Sequence, residues 1–148
     1  MRMRPIVKKR TSLAVVLLLA AAVLIARIDG QRESTTTETG AAAIVEAFEN
    51  ERSGVWVEAE GEIVHILADD QAPPRHQNFL IEIVPNHTVK ISHNVDIAPR
   101  APIRKGQRIR FRGRYEYNAK GGVVHWTHRD PRGRKTGGWL EYEGKTYR

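Results

Sequence analysis

The densest chemistry in this 148-residue chain lies in residues 121–133, where His125, Trp126, Thr127, His128, Arg129, Asp130 and Arg132 follow one another behind a pair of glycines. His128 and Asp130 are two apart and share a face wherever a strand continues. An imidazole and a carboxylate so placed offer either two ligands for a divalent metal or a general base with its orienting acid. His125 points to the other face of a regular strand, so a catalytic group of His125, His128 and Asp130 requires a bulge or a strand end near Thr127. His76, after Arg75, and His93, before Asn94 and Asp96, are further contributors from other segments, and Arg100 is placed to clamp an anion. Against this stands a plain structural reading: Trp126 packs in the core while the histidines hydrogen-bond to backbone or to the nearby acid. His65 reads as a core position and His87 as a turn residue.

The elements that must position these groups are mostly strands. Val57, Ala59, Gly61 and Ile63 alternate with Glu58, Glu60 and Glu62, the pattern of a half-exposed strand with an acidic outer face. Residues 76–84 and 88–93 predict two more strands joined at Asn86 and His87, and Asp69, Asp70, Pro73 and Pro74 mark the turn before them. Ile109, Phe111, Gly113 and Tyr115 alternate with Arg108, Arg110, Arg112 and Arg114 in a fourth strand. A turn over 118–122 leads to a fifth strand over 123–128, and a hairpin of 139–142 with 145–147 closes the chain. Glycines at inward positions of the first and fourth strands permit the coiling that closes a barrel, so the expected fold is mainly β, a small OB-like five-stranded Greek-key barrel with a C-terminal hairpin, with a β-sandwich or SH3-like barrel as the competing architecture. In such a barrel the first strand pairs antiparallel with the fourth, setting the glutamates opposite the arginine row. Cross-strand charge pairing then accounts for the arginines at about 0.2–1 kcal/mol per pair, in competition with a phosphate-binding stripe. Arg100, Arg104, Lys105, Arg129, Arg132, Arg134 and Lys135 have no acidic strand facing them and are the better candidates for an anionic partner.

The N-terminus has a different logic. Arg2, Arg4, Lys8, Lys9 and Arg10 precede an apolar run over residues 13–26, a charged region followed by a hydrophobic one. The run is shorter than the roughly 20 residues of a membrane span, but no small-residue cleavage pattern follows it. Thr11, Ser12 and Ile28, with Arg10 and Arg27 reaching toward the two interfaces, extend it to about 18 residues, enough for an uncleaved anchor. Residues 1–30 therefore read as a membrane anchor, or else a cleaved signal peptide, that leaves the domain on the periplasmic or outer side of an inner membrane or secretes it. Residues 31–40, polar and rich in Thr and Glu, read as a flexible linker to a single domain over 41–148. That domain opens with a short helix over 41–52 capped at Gly54.

Five of the chain's formal +7 charges sit before residue 11, so basicity alone is weak support for nucleic-acid binding. The rest is polarised: residues 41–98 carry three basic and ten acidic side chains, and residues 99–148 carry fourteen and four. With no cysteine there is no thiolate nucleophile, disulfide framework or cysteine zinc site.

Gly106, Phe111, Gly113, Tyr115, Gly121, Gly122, His125, Trp126, Thr127, His128, Asp130, Pro131, Gly133, Gly138 and Trp139 form a string that resembles an uncharacterised bacterial family of small exported domains. Arg75-His76-Gln77 with Phe79, and His93-Asn94 with Asp96 and Ala98-Pro99-Arg100, fit the same pattern, and the likeness covers about residues 54–148. The family has no established activity. The resemblance implies a single candidate site of His76, His93, Asn94, His125, His128 and Asp130. Members often carry a further histidine where this chain has Lys135, which weakens a metal role here.

The expected function is a membrane-tethered or secreted binding domain for an anionic or carbohydrate polymer of the envelope, or for nucleic acid. Ligand-binding residues are His76, His93, Asn94, Arg100, Trp126, Arg132 and Arg134. The alternative is a metal-assisted phosphodiesterase-like hydrolase with His128 and Asp130 as ligands, and the third reading is a structural envelope protein. The sequence names no cofactor beyond that suggested divalent metal. Nor does it name a specific protein partner.

Overall fold

The computed structural model describes residues 13–148, apart from the side chains of residues 13–16, 29–30 and 32–36. The N-terminal basic cluster, Thr11 and Ser12 lie outside the described residues. Helix α1 (Leu13–Glu49) carries exposed Leu17, Leu18, Leu19, Val23, Leu24, Ile25 and Ile28. Among the described residues no helix is long and apolar enough to cross a membrane. The segment 31–40, expected as an irregular linker, is helical. It lies between alanine-rich stretches, and a helix already nucleated adds each further residue at little cost. The chain divides after Ser34, and residues from Thr35 onward form the compact unit that holds the β domain.

The end of α1 anchors that domain. Ala41, Ile44 and Ala47 are buried in the core, and burying a side chain the size of Ile44 contributes about 1.5–3 kcal/mol. The helix stops in a Schellman motif built on Glu51 rather than at Gly54. Glu51 has φ 51°, Arg52 N–H donates to Ala47 O at 2.8 Å and Glu51 N–H to Phe48 O at 3.1 Å. Gly54 instead begins the sheet, donating to Tyr115 O at 2.8 Å.

Seven strands follow: β1 (Val55–Ile66), β2 (His76–Val84), β3 (His87–Asn94), β4 (Arg108–Glu116), β5 (Val123–His125), β6 (Trp139–Tyr142) and β7 (Lys145–Tyr147). β1 pairs with both β2 and β4, and β5 lies between β3 and β4, parallel to β3. The ring β1-β2-β3-β5-β4 is thereby closed, as expected of an OB-like barrel. Inward Val57, Ala59, Ile63, Phe79, Ile81, Val89, Ile91, Ile109, Phe111, Tyr115 and Val124 fill it. Closure draws β4 against β5 at Gly113, where an added Cβ would lie 2.5 Å from Val124 Cγ1 and 2.6 Å from His125 O. A bulge between Ile63 and His65 turns His65 outward, so it is exposed rather than a core residue. His87 opens β3 and packs edge-on against Phe48, with ring centroids 4.8 Å apart.

The two barrel ends differ. Phe48 of α1 meets His87 and Tyr117 at one end. At the other, His76 faces Asn94 across β2 and β3, and parallel β5 releases the chain at His125 beside it. The connections over 67–75, 95–107 and 126–138 therefore gather at this second end.

Candidate site at the loop end of the barrel

β5 was expected to run to His128, but it stops at His125. The edge of β4 is shared: Arg114 pairs with His125, and two residues on Arg112 pairs with Trp139 of β6. Gly138 fits so tightly there that a Cβ would lie 2.1 Å from both Arg112 O and Trp126 O. The chain leaving β5 must turn away, and it does so at Trp126, with φ 58° in the left-handed region that non-glycine residues seldom adopt. This strand end is the one that a site using both His125 and His128 required. It turns Trp126 outward to 40% exposure while Thr127 and His128 are buried at 0% and 7%, so Trp126 is not a core residue.

His76, Asn94, His125, Trp126 and His128 come together around a hollow of about 220 Å³, completed by Ser92, Ile97 and Pro131. His76 Nδ1 pairs with Asp70 Oδ2 at 2.7 Å, and Asn78 Nδ2 donates to the other oxygen of Asp70 at 2.9 Å. These contacts, that of His76 first, hold the Asp70 carboxyl below its ordinary range. His128 Nδ1 lies 2.7 Å from Arg129 O, so it carries the proton and donates. The indole of Trp126 stacks on the His128 ring at 5.6 Å. Among the described residues the buried side-chain polar atoms lacking a partner are Arg112 Nε and Tyr142 Oη. Among the described residues the hydrogen bonds of His76 and His128 run through Nδ1, leaving Nε2 of each ring without one.

His93 lies apart from the hollow's lining. Its Nε2–H donates to Pro99 O at 3.0 Å and its Nδ1 accepts from the Thr127 hydroxyl at 2.8 Å. Burial pushes its pKa below 6.5, so it is a neutral tie joining β3 to the connections over 95–107 and 126–138. Arg100 pairs with Asp69, and Arg75 grips Asp96 through its backbone N–H at 2.8 Å and Nε at 2.7 Å. Asp96 is held below the usual carboxylate range by these bonds.

Asp130 is drawn the other way from His128. Its carboxylate accepts from the backbone N–H of Arg132 at 3.2 Å, Arg134 at 2.8 Å and Lys135 at 2.9 Å, which depresses its pKa. It organises a loop instead of facing the imidazoles. Among the described residues no group of three His, Cys, Asp or Glu could hold a metal ion, and with Asp130 so engaged the residues do not fit the divalent metal suggested by its spacing from His128. The loop it shapes brings Arg132, Arg134 and Lys135 around a second hollow of about 480 Å³ that shares Trp126 and Pro131 with the first.

The arginine row of β4 meets carboxylates. Glu58 faces Arg112 and Glu60 faces Arg110 in the β1–β4 register. Arg108 pairs diagonally with Glu60, Arg110 with Glu58 at 3.5 Å and Glu141 at 3.6 Å, Arg112 with Glu58 at 3.7 Å, and Arg114 with Glu116 at 3.3 Å. Arg110 and Arg112 also lie over Trp139 and Trp56 at 5.6 and 5.8 Å.

Sequence reasoning missed Asp70, Ser92 and Thr127 as site-forming residues. Asp70 was legible only as a turn former. The acidic residue six positions before His76 is the signal that pointed to it, but nothing in sequence tells how a turn folds back.

An OB-like barrel with His76, His125 and His128 gathered at its loop end defines a small β-barrel domain. Residues 28–148 match the family described as "Protein of unknown function (DUF3465)", and the chain belongs to that family. No curated protein matches the sequence.

Proposed function

We propose that this domain binds an anionic polymer across the loop end of its barrel. The observation that carries the reading is Trp126: it stands 40% exposed between the cationic hollow of Arg132, Arg134 and Lys135 and the imidazole-lined hollow. An aromatic plate beside exposed cations is how OB barrels hold single strands, with stacking worth about 1–3 kcal/mol per base and backbone charge neutralised alongside. The β4 arginines contribute less, being already engaged by glutamates. In the same reading residues 11–28 attach the domain to a membrane or direct its export; the basic residues before them and the exposed apolar side chains of α1 support this.

The test is fluorescence anisotropy of a labelled single-stranded oligonucleotide with the full chain. Three phosphate contacts give a log–log salt slope of about −2. Trp126→Ala should weaken binding by about 5- to 150-fold, and Arg132→Glu with Arg134→Glu should flatten the slope by about 1.4. Unchanged affinity in both variants would refute the reading.

A further inference from the structure

Resting on the polymer-binding reading, we infer that the hollow between His76 and His128 is an acid–base site that cleaves single-stranded RNA. Both imidazoles line one space, and each has Nδ1 fixed by an oxygen: Asp70 Oδ2 for His76 and Arg129 O for His128, both at 2.7 Å. A base oriented by a third group is the recurring arrangement of proton-transfer sites. Fixing Nδ1 leaves Nε2 as the working nitrogen of each ring lining the hollow. Asn94 lines the same hollow, and its Oδ1 is taken by the Asp96 N–H at 2.9 Å, which turns the amide donor into the group available to a phosphate oxygen.

The choice of substrate follows from which reagents the side chains supply. Ser92, the hydroxyl that lines the hollow, already donates its proton to Asn78 Oδ1 at 3.0 Å, an amide oxygen that is no base for activating it. The described residues include no three-group metal site. Acid and base are present, so the nucleophile comes with the substrate. A ribose 2′-hydroxyl adjacent to its own phosphodiester is such a nucleophile, and Trp126, stacked on His128 at the rim, offers a plate for the neighbouring base.

In the reaction, neutral His128 takes the proton of the 2′-hydroxyl through Nε2 as that oxygen bonds to phosphorus. The bond from phosphorus to the 5′-oxygen breaks, and that oxygen receives a proton from His76, whose imidazolium faces the Asp70 carboxylate. The products are a 2′,3′-cyclic phosphate and a 5′-hydroxyl. No atom or electron is gained or lost, and the two rings end with their protonation exchanged. Asp70 acts as a positioning residue.

The experiment uses the purified full chain in excess chelator with a labelled RNA 20-mer and its all-deoxy counterpart, measuring binding and cleavage in the same samples. The RNA should be cut to fragments ending in 2′,3′-cyclic phosphate, with a bell-shaped pH–rate profile, while the deoxy strand stays intact. His76→Gln and His128→Gln should each slow cleavage at saturating RNA about 100-fold or more. His76 is the more exposed of the two, so its variant carries the test should the buried His128 variant not fold. Asp70→Asn should displace the pH profile with little change in KM. RNA bound but uncut overturns this inference and spares the binding reading; RNA neither bound nor cut overturns both. Cleavage that survives both glutamine variants, or that extends to the deoxy strand, overturns the assignment.

Discussion

His93→Leu tests whether the loop end is built on a buried neutral imidazole. His93 is fully buried, and leucine nearly matches its volume, so the substitution mainly removes two hydrogen bonds. The Thr127 hydroxyl, 0% exposed, loses its partner outright, and the partly buried Pro99 carbonyl loses its own. At about 1–3 kcal/mol for a buried polar group left unpaired, and less for the carbonyl, the expected loss is about 2–4 kcal/mol, measured by urea unfolding of the full chain in detergent. His93→Gln, which keeps a donor and an acceptor, should recover much of it. The pH dependence adds a second readout. Burial lowers the folded pKa of His93 below 6.5, so the unfolded chain binds the proton first on acidification. The stability of the wild type is then full above that value and falls as pH drops through the window beneath it, by up to about 1.4 kcal/mol per pH unit. The glutamine variant should lack this component. Asp70, Asp96 and Asp130 have lowered pKa values, so their contribution is present above 3.8 and disappears only at lower pH, outside the His93 window. A leucine variant within 0.5 kcal/mol of wild type, or a glutamine variant with the same pH slope as pH falls below 6.5, would refute the reasoning.

Gly113→Val places side-chain carbon where Val124 and His125 O already sit, and should destabilise the barrel by about 1–3 kcal/mol in thermal unfolding. Glu58→Gln removes a carboxylate shared by Arg110 and Arg112, side chains only 20% and 34% exposed, so its cost should be about 1 kcal/mol and be only partly relieved by high salt. Asp130→Ala frees three backbone N–H groups; hydrogen exchange at Arg132, Arg134 and Lys135 should quicken about tenfold or more, and oligonucleotide affinity should fall while the melting temperature barely moves.

Fold and site were legible to different depths, for physical reasons. The alternation of Glu58, Glu60 and Glu62 with apolar residues, and of the arginines with Ile109, Phe111 and Tyr115, follows directly from the two-residue period of a strand. With inward Gly61 and Gly113 it led to the β1–β4 pairing and to the barrel. The convergence of His76, Asn94, His125 and His128 was legible as motif positions alone, because neighbours across a barrel are brought together by closure and not by spacing. The end of β5 was less accessible still. It depends on β6 occupying the β4 edge at Arg112, a competition between two distant segments that leaves no local signature. The same limit explains Asp130: its spacing from His128 suggests a shared face, but the left-handed turn at Trp126 and the loop amides it accepts divert it.

The unequal barrel ends explain why the chemistry gathers where it does. At the end occupied by α1, Ile44 and Ala47 fill the core and Phe48 covers His87 and Tyr117, leaving apolar contacts that favour rigidity. The opposite end has only connections to close it, and they are tied by polar contacts: His93 to Pro99 and Thr127, Arg75 to Asp96, Arg100 to Asp69, His76 to Asp70. A polar closure of this kind can present imidazoles and amides to solvent without unpaired buried groups, which an apolar plug cannot do. Among the described residues of this end, Trp126 is the large aromatic that the fold turns outward, through a left-handed backbone imposed by the crowded β4 edge, and the polymer-binding proposal rests on that exposed plate.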